Sequence, residues 1–162
     1  MTMRIVVMGV SGCGKSTVGR LLAEKLDAKF IDGDDLHPEE NKAKMAAGIA
    51  LNDEDRWPWL DKVGESLVSD ERIVIACSAL KRAYRERILT KAAGTVFVHL
   101  AGSRETLAER MSSRPNHFMP LSLLDSQLAT LEPLEYDEPG LVLDIDKPVE
   151  HIVDSCLSFI RE

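Results

Sequence analysis

The stretch Met3-Arg-Ile-Val-Val-Met-Gly-Val-Ser-Gly-Cys-Gly-Lys-Ser16 decides how this chain folds. Its first six residues are mainly apolar and β-branched, which predicts a short buried strand over Met3–Met8. Its last eight residues match G-x-x-x-x-G-K-S/T and lead into a helical pattern over Lys15–Leu26. A strand before this motif and a helix after it are the context that the motif requires. The stretch therefore predicts a phosphate-binding turn between a strand and a helix.

The residue types of this turn, a P-loop, suit a nucleoside triphosphate. Glycines let backbone N–H groups converge on phosphate oxygens, and the helix N-terminus adds the positive end of a dipole. Lys15 can reach the β- and γ-phosphates, and the Ser16 hydroxyl can bind Mg²⁺. We therefore expect ATP and Mg²⁺ as cofactors. The predicted nucleotide-binding residues of the turn are Gly9, Ser11, Gly12, Cys13, Gly14, Lys15, Ser16 and Thr17.

Strand and helix patterns alternate along the rest of the chain. Further strands are predicted at 29–32, 72–77, 95–100 and 141–145, and further helices at 38–47, 57–68, 82–92, 103–113, 121–131 and 148–160. Continuous apolar strands between helices predict an α/β fold, with a five-stranded parallel sheet flanked by helices. We expect one domain over 1–162, with a helical insertion that forms a short lid at about 103–131.

Composition excludes several classes of protein. The 162 residues carry a net charge of −7, which argues against a general nucleic-acid binder, since such proteins need a basic face. No apolar run approaches the roughly 20 residues needed to span a bilayer, and the N-terminus does not look like a signal peptide. Cys13, Cys77 and Cys156 are too far apart for a C-x-x-C motif, so neither disulfides nor a zinc site are expected. We therefore expect a cytoplasmic protein that binds no membrane.

An acidic turn follows the second predicted strand. Many P-loop proteins hold Mg²⁺ partly through an aspartate that ends a core strand, but neither the third nor the fourth predicted strand ends in one. Asp32 and Asp34 are the best alternative source of carboxylates. One can hold the metal with Ser16 while the other binds the acceptor hydroxyl or takes its proton. The spacing leaves open which does which; the division to be tested gives the metal to Asp32 and the acceptor to Asp34.

Polar side chains in the predicted connections suggest an acceptor site. Lys81 and Arg82 directly follow the third strand, and ligands of open α/β sheets bind beyond the carboxyl ends of the strands. Two cations there suit a substrate that bears a carboxylate, although a solvated helix start would show the same pattern. The other polar candidates are His37, Lys42, Arg56 and His117.

Several longer segments are more specific than the P-loop. They are Asp32-Gly-Asp-Asp-Leu-His-Pro38, Asn41-Lys-Ala-Lys-Met45, Asp55-Arg-Trp-Pro-Trp-Leu60, Cys77-Ser-Ala-Leu-Lys-Arg82, His117-Phe-Met119 and Ser126-Gln-Leu-Ala-Thr-Leu-Glu132. In these segments, and in their order along the chain, the sequence resembles the gluconate kinase (gluconokinase) family.

This resemblance implies an enzyme that transfers a phosphoryl group from ATP to gluconate and gives 6-phosphogluconate. It also implies a P-loop NTPase fold like that of shikimate and nucleoside monophosphate kinases, a homodimer, and Gln127 in the acceptor site. Two positions depart from the family pattern: Asn116 stands where glycine is expected, and Leu128 stands where phenylalanine is usual.

A lid and an adenine site are predicted towards the C-terminal half. Arg110 and Arg114 lie at i and i+4, so they share one helix face. In related kinases lid arginines close over the transferring phosphate, which makes these two catalytic candidates; a surface pair is the alternative. The turn after the fifth strand is where such folds hold adenine, which suggests Pro148 and Val149.

Two other kinds of P-loop protein fit the sequence less well. A shikimate- or nucleotide-type kinase would share the P-loop, but the specific segments supply Asp, His and Lys where a nucleotide acceptor needs an aromatic pocket. A nucleotide-dependent switch for GTP would carry N-K-x-D, and Asn41-Lys-Ala-Lys44 lacks the final aspartate.

Overall fold

The computed structural model describes residues 2–112 and 121–161, and its centre is a five-stranded parallel sheet. The strand order is β2-β3-β1-β4-β5, and every neighbouring pair is parallel. This confirms the predicted α/β fold. The strands are β1 (Met3–Met8), β2 (Lys29–Asp32), β3 (Arg72–Ala76), β4 (Val96–Ala101) and β5 (Gly140–Asp144).

Helices cover the sheet. They are α1 (Lys15–Leu26), α2 (Glu39–Ala46), α3 (Asp53–Leu67), α4 (Arg82–Lys91), α5 (Arg104–Ser112), α6 (Leu121–Thr130) and α7 (Val149–Ile160). A 3-10 turn over Gly33–Leu36, which sequence patterns did not predict, links β2 to the segment before α2. Among the described residues, no helix has both the length and the apolar character needed to cross a membrane.

The core lies around the central strand β1 and its neighbours β3 and β4. Ile73, Val74 and Ile75 of β3 are fully buried, as are Val6 and Val7 of β1. Adjacent residues of a strand point to opposite faces, so both faces of the sheet are covered at this point. This is why these strands are continuous apolar runs instead of alternating ones.

The start of α3 differs from the sequence prediction, which began this helix at residue 57. The helix begins at Asp53 because Asn52 and Asp55 form a capping box. The Asp55 N–H donates to Asn52 Oδ1 at 2.8 Å, and the Asn52 N–H donates to the Asp55 carboxylate at 3.0 Å. Pro58, which suggested a helix start, lies inside α3. The other predicted bounds agree with the structure to within one residue.

Parallel strands bring their carboxyl ends to one edge of the sheet, and several of the site residues predicted from the sequence lie there. The P-loop leaves β1 at this edge, and its Gly9 N–H donates to Ser78 O beyond β3 at 3.3 Å. Asp32, the last residue of β2, pairs in register with Ala76, the last residue of β3. Loops from β1, β2 and β3 therefore surround one space.

Candidate active site

The phosphate-binding turn is built mainly from backbone. Gly14 has φ +91°, a left-handed conformation that glycine adopts without strain. It stands directly before α1, so the first N–H groups of that helix point into the turn. Cys13 is buried, with 1% of the residue exposed. The Lys15 ammonium lies back over the turn and donates to Val10 O at 3.2 Å.

Ser16 and Asp32 meet at the base of the turn. The Ser16 hydroxyl donates to Asp32 Oδ2 at 3.2 Å, and the Asp34 N–H donates to Asp32 Oδ1 at 3.0 Å. Two neighbouring oxygen ligands of an octahedral Mg²⁺, each about 2.1 Å from the ion, lie about 3 Å apart. The Ser16 and Asp32 oxygens therefore fit two adjacent positions on such an ion. Groups of three or more His, Cys, Asp or Glu side chains that could hold a metal ion are absent from the described ranges.

A polar cavity opens beside Lys15 and is walled by residues from distant parts of the chain. Asp34 follows β2, His37 precedes α2, Arg56 belongs to α3, and Gln127 belongs to α6. Apolar side chains complete the wall, among them Met45, Leu51, Trp59, Leu80 and Leu123. The cavity thus places one carboxylate, one imidazole and one guanidinium within one space next to Lys15 of the P-loop. Such a set can bind hydroxyls and a carboxylate of a small ligand.

His37 is held on two sides. Its ring stacks on Trp59 with the centroids 4.0 Å apart, and its Nδ1 lies 3.1 Å from Asn41 Nδ2. Burial lowers the pKa of His37 to about 4, and the positive charges of Arg56 and Lys42 add to this effect. The imidazole is therefore neutral at physiological pH. Asn41, which is 2% exposed, was not singled out from the sequence as a site residue.

Arg56 is a buried cation whose direction is set by α4. Only 8% of this residue is exposed. Its Nη1 donates to the Tyr84 hydroxyl at 2.8 Å, and that hydroxyl in turn donates to Asp53. The hydrogen bond from Tyr84 is the main cause that lowers the pKa of the Asp53 carboxyl, so Asp53 is ionised and accepts. A chain of hydrogen bonds thus fixes the guanidinium at the cavity wall.

Three predicted acceptor-binding cations are not among the residues that line the cavity. Lys42 pairs with Glu39 at 3.8 Å, and Lys81 pairs with Asp53 at 3.4 Å. Arg82 binds Glu135 and Asp137 instead. Arg82 binds these carboxylates because it is the first residue of α4, a position that places its side chain against the acidic connection between α6 and β5. Of the four lysines and arginines predicted to bind the acceptor, Arg56 is the one that lines the cavity.

Gln127 contacts the P-loop and also lines the cavity. Its Oε1 accepts a hydrogen bond from the Ser11 N–H at 2.7 Å, while the side chain also lines the cavity. The resemblance placed Gln127 in the acceptor site, and the structure adds a direct contact with the P-loop. His117 and Arg114, two further predicted site residues, lie outside the described residues.

A second pocket lies on the other side of the P-loop. Its wall includes Gly14 and Thr17 of the phosphate-binding region, Arg110 of α5, and Lys147 and Val149 beside α7. The Arg110 guanidinium donates to Ile145 O at 2.8 Å, so Arg110 stands at this pocket. Val149, predicted at the adenine site, lines it, and Pro148 directly precedes α7 as its N-cap. Lys147 was missed because a lone lysine in a turn carries no distinguishing signal.

Comparisons with known proteins bear on both the fold and the family of this chain. The family model described as shikimate kinase matches residues 11–160. A gluconokinase from Sinorhizobium meliloti is 50% identical, with a TM-score of 0.91 over 98% of this chain and 91% of that one. The chain belongs to the gluconokinase family. This confirms the resemblance seen in the sequence.

Other members of the gluconokinase family, or close to it, agree over nearly the whole length. A probable gluconokinase from Xenopus tropicalis is 47% identical over 93% of this chain and 90% of its own. A sugar kinase from Janibacter sp. HTCC2649 superposes with a TM-score of 0.96 at 45% identity, covering 99% of this chain and 95% of that structure. The chain is therefore a kinase with the P-loop fold that the gluconokinase and shikimate kinase families share, as the motif predicted.

Proposed function

We propose that this chain transfers the γ-phosphoryl group of Mg-ATP to the terminal hydroxyl of D-gluconate and forms 6-phospho-D-gluconate. One observation carries the proposal: the cavity that adjoins Lys15 collects Asp34, His37 and Arg56 from three separate segments. A phosphate-binding lysine on one side and hydroxyl- and carboxylate-binding groups on the other are what such a transfer needs. The relatives named gluconokinase support the choice of acceptor.

The cavity favours a sugar acid over a nucleotide or an apolar acceptor. The guanidinium of Arg56 can bind a carboxylate through two parallel hydrogen bonds, and the polar groups of Asp34 and His37 suit hydroxyls. A nucleotide base would need a free aromatic face, but His37 already covers one face of Trp59 at 4.0 Å. The charges and the stacking thus point to a small polyhydroxylated anion.

Each side chain has a distinct task in the proposed reaction. Asp34 lines the acceptor cavity and takes the proton of the attacking hydroxyl. Lys15 stabilises the negative charge that develops on the transferring phosphoryl oxygens. Arg56 and His37 orient the acceptor, so that its terminal hydroxyl points towards the P-loop.

The metal would be held by Ser16 and Asp32, whose oxygens lie 3.2 Å apart. When bound, Mg²⁺ supplies neutralisation of the β- and γ-phosphate charges. The structure supports the proposed division between the two aspartates, because Asp32 contacts the P-loop serine whereas Asp34 lines the acceptor cavity. Asp32 contributes to catalysis by positioning: it accepts the Asp34 N–H and so sets the direction of that turn.

The lid, the homodimer and the cytoplasmic location are also part of this proposal. We propose that the segment 103–131 acts as a lid within one domain, and that Arg114 and His117 take part when it closes. Arg110, which stands at the second pocket beside Val149, would then act on the nucleotide as well as in catalysis. A homodimer rests on the resemblance alone, and light scattering after gel filtration tests it. A cytoplasmic location fits the three buried free cysteines.

A coupled assay of ADP release tests the proposed acceptor. Purified protein is supplied with ATP, Mg²⁺ and one candidate at a time: gluconate, related aldonates, shikimate or nucleoside monophosphates. We expect gluconate to give the highest kcat/KM, with a product that carries phosphate at the terminal hydroxyl. A clear preference for shikimate or a nucleotide would overturn the proposal.

A further inference from the structure

Asn41 makes two hydrogen bonds that determine how its amide is oriented. Its Nδ2 donates to the Asp55 backbone O at 2.8 Å and lies 3.1 Å from His37 Nδ1. A backbone carbonyl can only accept, so the NH₂ group of Asn41, and not its oxygen, faces both partners. The contact with Asp55 therefore fixes the amide independently of His37. With its second hydrogen directed at His37, the Nδ1 of that ring must accept.

The state of the His37 ring follows from this geometry. A neutral imidazole carries one hydrogen, and with Nδ1 as an acceptor this hydrogen lies on Nε2. Burial and the nearby cations keep the ring neutral, because they lower the pKa of His37 to about 4. Its orientation is fixed as well: the ring stacks on Trp59, whose Nε1–H donates to Gly33 O at 2.7 Å. Both the direction and the tautomer of the ring are thus determined before any substrate binds.

We propose that Asn41 is a positioning residue that holds His37 as the Nε2–H tautomer, so that this ring donates a hydrogen bond to an oxygen of the acceptor substrate. This inference deepens the proposed function and rests on it for the identity of the acceptor. A ring held in this way recognises an oxygen lone pair and does not take the proton of the reacting hydroxyl. That proton goes to Asp34, which lines the same cavity.

Asn41→Asp inverts the hydrogen bonding at this point. An aspartate carboxylate only accepts, so His37 Nδ1 would have to carry a hydrogen in order to bond to it. Asn41→Ser serves as a second variant, because it removes the amide without adding a charge. Lys44→Met is the matched control: Lys44 also joins α2 to α3, through the Asp55 carboxylate at 2.9 Å, but it does not contact His37.

The tautomer is measured by NMR on ¹⁵N-labelled protein at pH 7. Long-range proton–nitrogen correlations distinguish a protonated ring nitrogen from an unprotonated one, and His37 is assigned among the four histidines from its missing signals in His37→Gln. We expect Nε2–H with an unprotonated Nδ1 in the wild type and in Lys44→Met. In Asn41→Asp we expect Nδ1 to be protonated.

Kinetics provide the second measurement. In both Asn41 variants we expect the KM for gluconate to rise about two- to tenfold, the effect of one lost hydrogen bond to a substrate, with a smaller change in kcat. Lys44→Met should keep the wild-type KM even if its melting temperature falls. If wild-type His37 carries its hydrogen on Nδ1, or if the Asn41 variants keep both the tautomer and the KM, the inference is wrong. Failure of gluconate turnover in the wild type would instead overturn the proposed function, since the nitrogen signals need no substrate.

Discussion

The two sides of the active site are built in different ways. The phosphate side is eight consecutive residues, Gly9 to Ser16, whose backbone groups and helix start form the binding surface. The acceptor side gathers side chains from the 3-10 turn, α3, α6 and the segments between them. A local backbone motif can be recognised from spacing alone, whereas a cavity made of distant side chains depends on how the elements pack. The P-loop and the cavity beside it therefore have separate structural origins.

The largest effect is expected on the phosphate side, from Lys15→Ala. Loss of a contact that stabilises charge in the transition state commonly costs about 3–4 kcal/mol, so kcat should fall by about 10²–10³-fold. The KM for gluconate should change much less, because the acceptor is held mainly by the other cavity residues. Steady-state kinetics measure both, and thermal unfolding serves as the control for folding. A folded variant with nearly normal kcat would contradict this assignment.

On the acceptor side, the protonation of His37 should make the stability of the protein depend on pH. The pKa of His37 is about 4 in the folded protein and 6.5 ordinarily, so between these values the unfolded chain binds a proton that the folded protein excludes. The free energy of unfolding is therefore unaffected by the protonation of His37 above pH 6.5. As the pH falls from 6.5 towards 4, protonation of His37 in the unfolded chain lowers that free energy by about 3 kcal/mol in all. Burial lowers the pKa of His99 too, so the comparison must be with His37→Gln.

Urea unfolding of the wild type and of His37→Gln at several pH values measures this difference. We expect the wild type to lose more stability than the variant between pH 6.5 and 4. Parallel curves for the two proteins would show that His37 is not held neutral in the cavity.

Asp32 and Asp34 belong to different sides of the site, so their substitution should have different effects. Asp34→Asn removes the proposed proton acceptor, so kcat should fall by about 10²-fold or more at saturating Mg²⁺. Asp32→Asn removes one metal ligand, and activity should recover in part as the Mg²⁺ concentration is raised. Activity measured against Mg²⁺ concentration for both variants tests the division. Identical, unshifted curves would leave it without support.

The same contrast explains what could be predicted from the sequence. The strands, the P-loop and the meeting of Ser16 with Asp32 follow from local patterns and from parallel strand order, so they were foreseen. The start of α3 at Asp53 was missed because Pro58 suggested a helix start, while the Asn52–Asp55 capping box lies further upstream. The orientation of Asn41 depends on contacts between α2 and α3, which no spacing within the sequence encodes.

Arg56 and Arg82 show most clearly why sequence patterns alone do not identify the residues of the cavity. Both were predicted to bind the acceptor, since both are cations at the edge of predicted elements. In the structure Arg56 is 8% exposed and lines the cavity, whereas Arg82 binds Glu135 and Asp137. Which of the two arginines lines the cavity depends on packing and on the acidic partners that the fold provides for Arg82.

The most direct test of the proposed acceptor site is therefore kcat/KM for gluconate in Arg56→Gln and Arg82→Gln, measured side by side. We expect Arg56→Gln to lower kcat/KM by about 10–100-fold, mainly through KM, because a hydrogen bond from a charged group contributes about 1.5–3 kcal/mol. Arg82→Gln should stay within about threefold of the wild type, because a surface ion pair contributes little. If Arg82→Gln instead loses gluconate while Arg56→Gln keeps it, the acceptor does not bind in the cavity described here.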